Sequence, residues 1–142
     1  MSAAEAVGPF GALHHIGIAA NELDATVENI CALVDGRVTD RGVEESLGME
    51  WVWIEAPGMP IFEVVTATGE GPIADYLARH GQGLHHLSFK PTGIDASLDH
   101  VRQCGLGIIG ENHDHSGFEE FFVDPKLTGG ALLHSFIELA GD

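Results

Sequence analysis

The chain has 142 residues, 44% hydrophobic and 20% charged, a composition ordinary for one soluble globular domain. Its formal net charge is −16, with only 6 Lys and Arg against 22 Asp and Glu. So few cations exclude a phosphate-neutralising patch, and with it nucleic-acid binding and docking on an anionic membrane surface. No apolar run approaches the roughly 18–20 residues that span a bilayer.

The opening MSAAEAVGPFGA has no basic stretch, so it reads as a loose tail rather than a secretory signal, and a cytoplasmic location is expected. LHHIGIA at 13–19 then reads as a strand. A helix follows, its stripe of Leu23, Val27 and Ile30 spaced i, i+4, i+7. Asn21 is its expected N-cap and Gly36 its stop. MEWVWIEA and PIFEVVTA, separated by the turn PGM, are β-rich. GPIADYLARHG predicts a linking helix over about 71–80, with Pro72 in its first turn. LHHLSF at 84–89 opens a second series: a helix with Ile94, Leu98 and Val101 inward and Gly105 as its stop, then FEEFFVD and ALLHSFIEL around PKLTGG. Cys31 and Cys104, near the helix ends, are expected to be small buried hydrophobes in a reducing compartment.

The two series are one pattern used twice. A shift of about 71 residues lays His14 on His85 and His15 on His86. Without a gap it also lays Leu23 on Ile94, Val27 on Leu98, Ile30 on Val101 and Gly58 on Gly129. The expected fold is α+β: two tandem βαβββ modules, 13–66 and 84–140, forming one cupped mixed sheet around a metal site within a single domain.

The repeat also pairs ligand-type residues. His15 and His86 begin equivalent strands, and Glu63 shifted by the same interval falls on His134. Imidazole nitrogen with carboxylate oxygen suits a divalent Zn, Fe, Mn, Co or Ni ion rather than Ca. Strand alternation turns His14 and His85 to the opposite face. Glu138, four residues beyond His134 on one strand, is the competing fourth ligand.

Paired modules opening on an HHIGIA-type strand resemble the vicinal oxygen chelate superfamily, which holds glyoxalases, methylmalonyl-CoA epimerases and extradiol dioxygenases. The stretches GPIADYLARHGQGLHHLSF, GIDASLDHVRQCGLGIIGE and DPKLTGGALL are most similar to the epimerase branch. The resemblance implies metal ligands at His15, Glu63, His86 and the residue four beyond Gly130, which is His134. Epimerases carry a glutamate there, as both ligand and catalytic base, so His134 departs from the pattern. A histidine can serve either role.

The implied reaction is proton abstraction α to a carbonyl through a metal-stabilised enolate, on an acyl-CoA or another carbonyl compound. The alternatives are a glyoxalase-type lyase, an extradiol-type dioxygenase, or a non-catalytic small-molecule binder. Glu50 is the expected second acid/base, with Glu44 and Glu45 behind it, and Glu138 shares the catalytic candidacy of His134. His113 and His115, in the run ENHDHSG, are expected on a solvated loop. Arg79, Lys90 and Lys126 are the cations a phosphate-bearing CoA tail has to meet. A homodimer is expected by analogy with the superfamily.

Overall fold

The computed structural model describes residues 7–115 and 117–139. In chain order they form β1 (Ala12–Ala19), α1 (Leu23–Val34), β2 (Arg37–Glu44), β3 (Met49–Glu55), β4 (Ile61–Ala67) and α2 (Pro72–His80). These are followed by β5 (Gly83–Lys90), α3 (Ile94–Gln103), β6 (Ile108–His115), β7 (Phe118–Val123) and β8 (Leu133–Glu138). The fold is α+β with mixed strand pairing, as the repeat predicts.

The chain divides into two compact units, His15–His85 and Met1–His14 with His86–Asp142. The divisions fall inside both His-His pairs. In the 15–85 unit the strand order is β2-β3-β4-β1, antiparallel except where β1 runs parallel to β4. The other unit repeats it as β5-β8-β7-β6, with β5 parallel to β8.

Each predicted helix stripe packs as expected. Leu23, Val27 and Ile30 of α1 cover Val52, Ile54 and Val64 of β3 and β4. Ile94, Leu98 and Val101 of α3 cover Phe121 and Val123 of β7. The linking helix belongs to the first unit: Ile73, Tyr76 and Leu77 of α2 pack with Ala19, Val65 and Trp51. Both faces of that sheet are therefore clothed in apolar side chains.

Several local expectations need correction. Residues 1–6 of the expected loose tail lie outside the described residues, but Phe10 is packed, its ring 4.9 Å from Phe89 within the α3 core. Gly11 makes this possible: at φ +95 a Cβ there would stand 2.2 Å from the Lys90 carbonyl oxygen, a close approach only glycine tolerates. The α1 N-cap is Glu22, while the Asn21 backbone N–H donates to Gln82 Oε1 at 2.9 Å. Asp35, at φ 58, takes the left-handed C-cap position expected of Gly36. The ENHDHSG run is mostly strand β6, not loop. Cys31 is half-buried and Cys104 exposed, so neither is a buried core residue.

Candidate metal centre

Strand alternation selects the residues of the first half-site. His15 and Ala19 lie on one face of β1, and Ala19 packs with Val65. Glu63, two residues before Val65, shares that face. His15 is 2% exposed, and its Nε2 stands 3.6 Å from Glu63 Oε1. Trp53, the register partner of Glu63 on β3, donates its indole N–H to Glu63 Oε2 at 2.9 Å. The Trp53 ring also lies 5.6 Å from that of His15. One carboxylate oxygen is thus occupied by the indole while the other is turned to the imidazole.

The second half-site is built in the same way. Ser135 faces α3, where its hydroxyl meets that of Ser97 at 3.0 Å. His134, the residue before it, therefore points to the opposite face of β8. Its register partners are Ser88 on β5 and Phe122 on β7. The His86 and His134 rings are 5.3 Å apart, and a ligand atom of each lies within 4.8 Å of the other. His134 hydrogen-bonds to Ser88 through Nδ1 at 2.9 Å and to Glu120 through Nε2 at 2.7 Å.

The chain has nine histidines, and of the eight whose side chains the structure describes only His15, His86 and His134 are buried, at 2%, 8% and 6% exposure. They are the three histidines that the repeat selects as ligands. Each offers one imidazole nitrogen, and imidazole nitrogen beside a carboxylate such as that of Glu63 is the donor chemistry suited to a borderline divalent cation such as Zn, Co, Ni, Mn or Fe. His14 and His85 are half-buried beside other rings, Phe136 at 6.0 Å and Tyr76 at 4.6 Å respectively.

Glu50 is not placed as expected. It shares the α1-facing side of β3 with the core residues Val52 and Ile54, whereas Trp53 and Glu63 face the other way. Its carboxylate lies 3.7 Å from Arg41, which also stands 3.9 Å from Asp24 of α1. Glu50 is therefore set aside as an acid/base for the His15–Glu63 half-site. Glu44 accepts from the Ser46 hydroxyl at 2.7 Å, and Glu45 opens a 3-10 turn. Glu138 is exposed at the end of β8, opposite Phe118. Arg79, Lys90 and Lys126 are exposed. The sequence pattern did not single out Trp53, Ser88 or Glu120 as polar partners of the ligand candidates.

His113 is held between two carboxylates: as imidazolium it donates from Nε2 to Glu111 at 2.6 Å and from Nδ1 to Glu119 at 2.7 Å. These bonds, that to Glu111 foremost, raise its pKa above the ordinary value for histidine.

A family model described as Glyoxalase/Bleomycin resistance protein/Dioxygenase superfamily matches residues 14–122. The chain is 27% identical over 128 residues to a Cereibacter sphaeroides protein named ethylmalonyl-CoA/methylmalonyl-CoA epimerase, spanning 87% of this chain and 95% of that relative. A variant of Streptomyces coelicolor methylmalonyl-CoA epimerase, solved in complex with 2-nitronate-propionyl-CoA, is similar at TM-score 0.80 and 26% identity over 92% of this chain and 99% of that one. Methylmalonyl-CoA epimerase from Mycobacterium tuberculosis shares the fold, at TM-score 0.80 and 21% identity over 90% of this chain and 88% of that one. The paired units, the repeated strand order and the match over most of the length agree: the chain belongs to the glyoxalase/bleomycin resistance protein/dioxygenase superfamily.

Proposed function

We propose that this protein is a metal-dependent epimerase that removes and returns the proton α to the carbonyl of an acyl-CoA thioester, as a methylmalonyl-CoA epimerase does. The observation that carries the proposal is the burial of His15, His86 and His134, alone among the histidines whose side chains are described, in a chain that resembles enzymes of that name over nearly its whole length. His15, Glu63, His86 and His134 would hold one divalent cation. That cation, when bound, stabilises the negative charge that develops on the carbonyl oxygen as the α-proton leaves.

The chain's own residues prepare the site. Trp53 fixes the Glu63 carboxylate, so that its second oxygen is presented beside His15 without reorganisation at the moment of binding. Phe122 and Phe136 flank the His134 ring and shield it from water. His134 stands where the superfamily's epimerases place a glutamate, so it takes over the ligand role and the candidacy for proton transfer. Glu138 is the next candidate along the same strand. A cytoplasmic homodimer is carried in the proposal from the sequence and the superfamily. No helix among the described residues is long and apolar enough to cross a membrane.

The decisive experiment is incubation of the Co(II)-loaded protein with methylmalonyl-CoA in heavy water, followed by mass spectrometry. Deuterium is expected at the α-carbon. Metal uptake without exchange would remove the epimerase assignment and leave a different substrate for the site. Absence of metal uptake would remove the catalytic proposal altogether.

A further inference from the structure

His134 stands on β8 between β5 and β7, and its two ring nitrogens face different neighbours. Nε2 lies 2.7 Å from Glu120 Oε1 on β7, and Nδ1 lies 2.9 Å from Ser88 Oγ on β5. An ionised carboxylate only accepts, so Nε2 carries the proton and donates it to Glu120. In the neutral ring Nδ1 is then the acceptor. In the metal-free protein its single lone pair takes the Ser88 hydroxyl on β5, so that hydroxyl must rotate away before Nδ1 can bind a cation. That strand carries His86 two residues before Ser88, on the same face.

The ring has little freedom to turn away from this arrangement. Phe122 stacks on it at 4.4 Å and 23°, and Phe136 at 5.8 Å and 30°. Glu120 is itself mostly covered, with its side chain 16% exposed.

We infer that Glu120 is the positioning residue of His134: it fixes the tautomer in which Nδ1 is the ligand atom. It also supplies, one strand away, the negative charge that a glutamate at position 134 would bring directly. The inference rests on the metal centre proposed above. Its physical basis is general: an imidazole whose other N–H is held by a carboxylate is a better oriented and more basic donor. Loss of such a partner typically weakens metal binding about 10–100-fold.

The first test needs neither metal nor a variant. Nitrogen-15 NMR of the metal-free protein is expected to show neutral His134 as the Nε2–H tautomer, and an Nδ1–H tautomer would overturn the assignment. The second test titrates Co(II) into wild type, Glu120→Gln, Glu120→Asp, His134→Ala and the Glu120→Gln/His134→Ala pair, followed by calorimetry and by the Co(II) absorption bands. Glu120→Gln is expected to weaken binding by about 10–100-fold and to shift the bands. Glu120→Asp should recover part of the loss, and Glu120→Gln should add nothing once His134 is gone.

Unchanged affinity and bands in Glu120→Gln would overturn the role. So would an equal loss in the presence and absence of His134, because Glu120 would then act on the metal directly. Failure of wild type to bind Co(II) removes the metal centre and this role together, whereas binding that ignores Glu120 removes the role alone.

Discussion

Trp53 and Glu63 are register partners on β3 and β4, and the indole N–H of one meets Oε2 of the other at 2.9 Å. The bond fixes a carboxylate that would otherwise rotate, and leaves Oε1 turned to His15 at 3.6 Å. Trp53→Phe keeps much of the aromatic area but deletes the donor. Zn(II) or Co(II) binding should weaken by about 10–100-fold. Stability of the metal-free protein should fall by about 1.5–3 kcal/mol, the worth of one hydrogen bond to a charged group. Calorimetric titration and urea unfolding measure the two effects separately. Equal metal affinity in the variant would mean that Trp53 does not orient a ligand.

A cation held only by the folded chain must stabilise it. At a free metal concentration 100 times the dissociation constant the gain is about 2.7 kcal/mol. For a chain of this size that is a rise in melting temperature of about 5–10 °C. Co(II) or Zn(II) should produce this shift, a chelator should reverse it, and His86→Ala should abolish most of it. Melting curves that ignore the metal would count against the whole ligand set.

The candidate ligands come from one feature of the sequence, the spacing that duplication preserved. His15, His86, Glu63 and His134 follow from one shift, and the three histidines among them are buried. The face of Glu50 was not legible, for a physical reason. Alternation identifies a buried face only when the other face is polar, and β3 is apolar on both: Val52 and Ile54 pack toward α1, Met49 and Trp51 toward α2. β6 escaped notice because it lies at the end of the strand order, polar in its second half and with irregular pairing to β7. Glu120 required a hairpin register that no single segment encodes. Once Phe122 is known to oppose His134, the alternation of Phe118, Glu120 and Phe122 brings the carboxylate to the same face.

Gly11 is the hinge that lets Phe10 reach its core. Gly11→Ala would force a side chain into the left-handed region and against the Lys90 carbonyl, 2.2 Å from the ideal Cβ position. Neither partner is a flexible side-chain tip, so the backbone must move and Phe10 must leave Phe89 and Phe121. The expected cost is more than about 1 kcal/mol, from the strained backbone and the lost ring packing together. Urea unfolding measures it, and Phe10→Ala in the Gly11→Ala background should then cost less than Phe10→Ala alone. Full additivity would show that the two residues are not linked.

The His113 bridge makes a signed pH prediction. Its hydrogen bonds to Glu111 and then Glu119 raise its folded pKa above the unfolded value of about 6.5. A group whose pKa rises on folding stabilises the fold while both states are protonated. That contribution is whole below about pH 6.5 and disappears as pH climbs through the raised folded value. Above it, Glu111 and Glu119 face each other across a neutral ring, with Arg102, 3.6 Å from Glu111, as a nearby cation. The site is exposed, so the effect should be modest and should shrink with added salt. His113→Asn removes the titration but leaves a polar residue on the strand. Urea midpoints of wild type and variant, measured from pH 5.5 to 9 at low salt, should therefore differ in favour of wild type at the acidic end and converge toward the alkaline end. A constant difference across that range would mean that the bridge contributes through packing rather than through its charge.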